Sequence, residues 1–480
     1  MSTATLRLRE LASHVRWSAF ETSTPEGRAK ERHRRAALTG VAAGLAKIIA
    51  VSTSLVTIPT ALHYLGTERF GLWMTISSVV ALLGFADFGI GNGVLNAVAE
   101  AHGKEDTQEI RRAVESGFTL LAAIAVLGMA VFVFTYHWVD WARLFNVTSE
   151  VARRESGPAM AAFVVCFALS IPLGVVQRLQ LGLQEGFLTN LWQLGGSVAG
   201  LLGVLLFIHL RLGLPWLILA LAGAPVTAAL TNTLVFFGSM RPDLRPCFRL
   251  VSGAAVRKIA KLGFLFFVLQ AAVAIAYSSD NFVVARMLGP EAVTRYSVTA
   301  KMFSLIPLGL SMFLGPLWPA YGEAIARGDV VWVRKTLVRS MATAVLLAAC
   351  AAGLLVTFGP EILRVWIHRP ISPPFALLLG LGLWSVMDAA GVSVAMFLNG
   401  ANVVLPQVIV ASIFALGCLG LKIFLVRRLG MVGVPWATLI AYTGLSAFPS
   451  LFIVPRIVSS LGKRTRTSGQ SGQYKSTSGL

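Results

Sequence analysis

Long apolar stretches alternate along this chain with short segments that hold most of its charge. A helix needs roughly 20 apolar residues to cross about 30 Å of hydrocarbon. By that measure the pattern predicts twelve spanning helices, at 37–62, 70–96, 114–136, 158–183, 188–208, 214–238, 262–285, 296–319, 337–358, 374–398, 404–426 and 432–455. The runs are long and continuous, which excludes the short alternating strands of a membrane β-barrel. The expected fold class is therefore an all-α integral membrane protein.

Composition agrees. Of the 480 residues 56% are hydrophobic and 13% charged, about half the charge of a soluble domain. The net charge of +19 would suggest nucleic acid in a soluble protein. Here the basic excess lies in loops and tails, where it orients the chain and touches anionic membrane lipids. No basic–aromatic module stands outside the spans, so no nucleic-acid partner is expected. Lys and Arg number 25 on the side of the N-terminus and 11 on the other. That bias predicts both termini in the cytoplasm. Cys166, Cys247, Cys350 and Cys418 share no metal-ligand spacing and read as small core hydrophobes. Asn146–Thr148 reads as a chance glycosylation match. The first apolar run is long enough to remain as a span rather than act as a cleaved signal.

The two halves resemble each other. Leu65-Gly66-Thr67-Glu68 is matched by Leu288-Gly289-Pro290-Glu291, and Leu181-Gly182-Leu183-Gln184 by Leu398-Asn399-Gly400-Ala401. Leu212-Gly213 with Pro215-Trp216 is matched by Leu429-Gly430 with Pro435-Trp436. The order and near-constant shift predict a six-plus-six duplication, with both halves in the same orientation. The expected layout is a basic N-terminal extension (1–35), a six-helix lobe (36–240), a basic cytoplasmic loop (241–261), a second lobe (262–456) and a disordered tail (457–480). In transporters built from such repeats the substrate site lies between the halves.

Charges inside the spans are costly, and so mark candidate function. Lys47 sits near the middle of the first span and is expected to face a wet cavity or a carboxylate. Lys301 and Arg178 are the other interior cations, and an anionic ligand would suit them. Asp280, Asp388 and Asp87 are candidates for ion coupling or for ion pairs, with Asp280–Lys301 one geometrically possible pair. Arg178 and Lys422 lie near span ends, where a long stem can reach the surface. Lys422 reads chiefly as such an anchor. No Walker A, H-E-x-x-H, G-x-S-x-G or Cys/His metal cluster occurs, so no cofactor or metal is expected. Energy would come from an H⁺ or Na⁺ gradient, the substrate gradient or a partner.

Several segments resemble the oligosaccharide flippases of the MATE-like polysaccharide-exporter superfamily. They are Arg241-Pro242-Asp243-Leu244-Arg245-Pro246, Ser279-Asp280-Asn281-Phe282-Val283-Val284 with Tyr296 and Lys301-Met302-Phe303, and Arg364-Val365-Trp366. Tyr64-Leu65-Gly66, Phe70-Gly71-Leu72-Trp73 and Asp87-Phe88-Gly89 add to the likeness in the first half. The resemblance covers about 36–456; residues 1–35 depart from the family pattern. It implies two pseudo-symmetric lobes, alternating access and a cationic central cavity. It also implies a substrate, undecaprenyl-diphosphate-linked oligosaccharide, carried across the bacterial inner membrane. On that reading Lys47, Arg178 and Lys301 replace the water around the diphosphate, and a polysaccharide polymerase and other assembly proteins are expected partners. Three other readings remain: a cation-coupled multidrug exporter, a lipid-linked peptidoglycan precursor flippase, and a membrane-embedded glycosyltransferase. The last would need a large catalytic loop, whereas 137–157 and 239–261 lack a clustered acid pair.

Overall fold

A computed structural model describes residues 20–460 apart from 22–23, 84–86, 146, 247–250, 289 and 368–372. Residues 1–19 of the basic extension, the tail beyond 460, Cys247, Asn146 and Gly289 of the second-half repeat lie outside the described residues. Among those described, the regular structure is helical, with no strand. Ten helical stretches are long and apolar enough to cross a membrane. They contain eleven of the predicted spans, because Val404–Ser460 runs through the last two. The twelfth, 70–96, is interrupted, for a reason given below.

The chain divides into two compact units, residues 1–267 and 268–480. In the first, α1 (Pro25–Leu83) begins well before the apolar run. Its Thr24 hydroxyl accepts the Gly27 amide, and Glu31 binds Arg34 and Arg35. Arg35 also donates to the Leu183 carbonyl at 2.9 Å. Gly66, at φ +74°, breaks α1 between the first two predicted spans. α2 (Ile90–Gly103), α3 (Thr107–Tyr136), α4 (Glu150–Gly182), α5 (Gly186–His209) and α6 (Leu214–Val235) follow. α1 packs along α5, α5 along α6, and α4 against α3 and α6. Ala61, Leu65, Leu72 and Ile76 of α1 are buried against Phe163, Leu214 and Leu217.

The second span is broken at Asp87-Phe88-Gly89. Phe88 and Gly89 both take positive φ, +46° and +70°. Asp87 Oδ1 accepts the Gly89 amide at 2.9 Å and its carbonyl accepts that of Ile90. The turn leads into α2 (Ile90–Gly103), whose N-cap is the left-handed Gly89. It also brings Gly89 against α7 (Gly253–Leu288). A Cβ at Gly89 would lie 2.3 Å from the Gly263 carbonyl oxygen, and one at Gly263 would lie 2.9 Å from Ile90 Cα.

In the second unit, the predicted span 296–319 is three short helices: α8 (Pro290–Phe303), α9 (Leu305–Leu314) and α10 (Leu317–Ala326). Ser304 separates the first two, just before Pro307, which has no amide hydrogen to give the helix. Gly315-Pro316 separates the last two. α11 (Val330–Ile367), α12 (Phe375–Gly400), α13 (Val404–Leu429) and α14 (Gly433–Tyr442) follow, and the chain stays helical to Ser460. α12 packs on α11 and on α10, and α13 on α14.

Turn geometry carries the duplication. Between α4 and α5, Gln184 takes φ +60°; between α12 and α13, Asn402 takes φ +57°. The amides of 183, 184 and 185 bond the carbonyls of 179, 181 and 180; those of 401, 402 and 403 bond 397, 399 and 398. The same correspondence holds for Glu105 and Gly328, at φ +59° and +77°. Asp106 then caps Glu109, as Asp329 caps Trp332. The second match falls at the shift of 223 that the Leu65 and Leu288 motifs indicated.

A loop contact after the first span is pH-sensitive. Glu68 accepts from the amides of Thr148 and Ser149, the latter the N-cap of α4. Ser149, through side chain and backbone, and then Thr148 hold the Glu68 carboxyl down at about 2. A carboxyl depressed on folding stabilises above its ordinary pKa of 4.5 and loses that contribution as pH falls through about 2. Protection of the Thr148 amide from hydrogen exchange is expected to persist at about pH 3. It should be lost at neutral pH in Glu68→Ala.

Candidate functional site

Two helical stripes meet inside the second unit. Ala272 and Ala276 of α7 are buried against Phe414, Ala415 and Cys418 of α13. One turn further along each stripe stand Asp280 and Lys422, since residues four apart share a helix face. The Lys422 side chain is fully buried and pairs with Asp280 Oδ1. Its ammonium also donates to the Ala276 carbonyl and lies 3.5 Å from the Ser279 hydroxyl oxygen. The second oxygen of Asp280 accepts the Tyr296 hydroxyl at 2.6 Å. Asp280 thus takes Lys422, not Lys301, as its cation. The expectation that Lys422 reaches for the surface is corrected: its position continues the buried stripe, so the stem points inward.

Asp280 and Tyr296 form part of the wall of a cavity of about 330 Å³, with Tyr277, Trp384, Ser385 and Asp388. Asp388 also lines a neighbouring cavity of about 290 Å³ beside Tyr442 and Phe414. The rings are packed edge to face around it: Trp384 on Tyr442 at 5.3 Å and Phe414 on Tyr442 at 5.5 Å. Asp388 therefore presents a carboxylate to two aromatic-walled spaces. Lys301 stands in the same unit on the last turn of α8, where its side chain is exposed and its carbonyl accepts the Ser304 hydroxyl.

In the first unit Arg178 of α4 faces Asp87 at the break before α2, Nη2 to Oδ2 at 3.9 Å. Gly91 makes room for the pair. A Cβ there would stand 2.8 Å from Arg178 Nε and 2.9 Å from Asp87 Oδ2. Gln180, two residues on, exchanges two amide hydrogen bonds with Asn232 and accepts the Thr189 hydroxyl, tying α4, α5 and α6 together. The Arg-Pro segment forms a short turn. Arg241 holds Asp243 through two nitrogens, keeping that carboxyl below its usual range, and Leu244 is buried. Lys47 is half-buried on α1, beside the buried Ala46.

The six predicted residues thus separate into Lys47, Arg178 and Asp87 in the first unit, and Lys301, Asp280 and Asp388 in the second. Tyr296, Trp384 and Lys422 complete the second group. Among the described residues no three His, Cys, Asp or Glu side chains converge on one point.

The model of a protein family described as polysaccharide biosynthesis protein matches residues 39–324, more than half of the chain. The chain belongs to the polysaccharide biosynthesis protein family. A putative O-antigen transporter of Salmonella typhimurium is 24% identical over 293 residues, 58% of this chain and 63% of that protein. A putative O-antigen export protein of Yersinia pseudotuberculosis is 20% identical over 282 residues, 58% of this chain and 64% of its own length. Both alignments span less than two thirds of the relative. Among solved structures, a MATE protein in its bent conformation superposes with a TM-score of 0.78 at 15% identity, over 92% of this chain and 98% of that one. The likeness in structure is one of fold: multi-pass and all-helical, as the apolar pattern predicted.

Proposed function

We propose that this protein is a flippase, which carries undecaprenyl-diphosphate-linked oligosaccharide repeat units across the bacterial inner membrane by alternating access. The observation that carries the reading is the family match over residues 39–324, joined by relatives named for O-antigen transport and export. The interior cations fit the chemistry. A diphosphate loses its water on entering hydrocarbon, at large cost. Lys47, Arg178 and Lys301 replace that water on a headgroup whose lipid tail stays in the bilayer. Asp388, open to a cavity, is the coupling carboxylate for H⁺ or Na⁺. Asp280 and Asp87 hold Lys422 and Arg178. Both termini face the cytoplasm, and polymer-assembly proteins act next on the substrate.

Complementation tests this in a strain lacking its own repeat-unit flippase. Losing one charge-assisted contact of about 1.5–3 kcal/mol weakens headgroup binding roughly ten- to hundredfold. Wild type is expected to restore surface polymer, while Lys47→Ala and Arg178→Ala, at equal membrane abundance, restore little. Failure of the wild type in several hosts would sink the reading.

One observation favours a second reading. A carboxylate among Tyr277, Trp384 and Tyr442 is also a receptor for an organic cation. If Asp388→Asn abolishes drug resistance and leaves polymer unaffected, the protein is a cation-coupled exporter of the same fold.

A further inference from the structure

Lys422 fills a position chemically suited to a bare monovalent cation. Around its ammonium stand a carboxylate oxygen of Asp280, the Ala276 carbonyl oxygen and the Ser279 hydroxyl oxygen. An all-oxygen set of this kind is what hard cations take from proteins. The ammonium is shut off from solvent: the Lys422 side chain is 0% exposed, and Ala272, Phe414 and Cys418 are buried along the same stripes, while Asp280 keeps 23% of its side chain open on the cavity side. The buried ammonium needs a negative partner there, and Asp280, the carboxylate it bonds, is the charge that balances it. Its other oxygen already accepts from the neutral Tyr296 hydroxyl, so the compensating charge comes from one side alone.

We propose that Lys422 is a resident cation. Its tethered ammonium takes the place that a dissolved Na⁺ would otherwise occupy at Asp280, so this carboxylate is neutralised permanently from within the fold. Of the two candidate carboxylates in the second unit, Asp388 is then the one left for ion coupling. The assignment does not depend on which substrate the protein carries. It rests on a charge covalently bound to α13, which cannot dissociate in a transport cycle as a coupling ion must. It also predicts what the site becomes without its ammonium. Lys422→Met keeps most of the stem and leaves three oxygens facing a space the size of a small cation.

The test is thermal unfolding of the purified full-length protein in detergent, in sodium chloride and in choline chloride at matched ionic strength, in an Asp388→Asn background that removes the other carboxylate. With Lys422 present, the midpoint is expected to be the same in both salts. Lys422→Met should melt lower in choline and gain a saturable rise of a few degrees from Na⁺, since a ligand that binds only the folded state stabilises it. Adding Asp280→Asn should abolish that rise. A saturable Na⁺ rise with Lys422 in place, removed by Asp280→Asn, would overturn the proposal, because Na⁺ would then already reach this carboxylate. Absence of a Na⁺ rise in folded Lys422→Met would overturn it too. Should Lys422→Met fail to fold, Lys422→Gln takes its place with the same two outcomes, and a saturable Na⁺ rise in the Lys422-containing protein that Asp280→Asn removes still overturns the proposal.

Discussion

Asp280→Ala is expected to destabilise the second unit by about 3–5 kcal/mol, the range for removing one partner of a buried ion pair. It strands the Lys422 ammonium, which no solvent reaches, beside Cys418 and Ala415. The two remaining oxygens, of Ala276 and Ser279, supply dipoles but no countercharge. Lys422→Met in the same chain should restore most of the loss, because neutral residues packed in place of a buried pair are often as stable as the pair. Thermal melts of both single variants and the double close the cycle. A coupling of several kcal/mol is expected; losses that simply add would mean that the two side chains do not act on each other.

Gly89→Val should prevent accumulation of folded protein in the membrane. Two separate costs fall on that position. Valine at φ +70° is strained by about 1–3 kcal/mol, with β-branching the least tolerant case. Its Cβ would also meet the Gly263 carbonyl oxygen at 2.3 Å, and backbone cannot rotate away as a side chain can. Overpacking of this kind typically adds about 1–3 kcal/mol. Gly128→Ala is the matched control, because a Cβ there meets nothing within 4 Å. It is expected to fold at least as well as the wild type. Size-exclusion chromatography of the fluorescently tagged protein reads both outcomes; a normal peak for Gly89→Val would refute the close-approach account.

The helices were legible because hydrocarbon thickness imposes a length that few sequences meet by chance. Their interruptions were not. Asp87-Phe88-Gly89 lies inside an apolar run, where the glycines at 89, 91 and 93 signal a loosened helix end or a close neighbour; the turn itself shows in the hydrogen bond from the Gly89 amide to Asp87 and the two positive φ values. The span at 296–319 hid its breaks in the same way, although Pro307 and Gly315-Pro316 were visible signals. The charged pair in the second unit was half legible. Asp280 stood out as a carboxylate in an apolar run, yet its partner lies 142 residues away, not on the next helix. Depth from the span end made Lys422 look like an anchor. The spacing of Ala415, Cys418 and Lys422 on one face carried the opposite message, which helical periodicity alone could have read. The duplication was legible from short Leu-Gly motifs, of which the pair at Leu181 and Leu398 marks turns with the same backbone in both halves even though the side chains differ.

Those matched turns relate the two halves at shifts of 218 and 223. Counting 223 back from Asp280 gives Thr57, and 218 back from Lys422 gives Val204. Both are buried, at 4% and 0% exposure. At these positions the first unit carries a hydroxyl and an isopropyl group where the second carries an acid and a base. The ion pair is thus an asymmetry between the halves, in the half of the molecule that also holds Asp388.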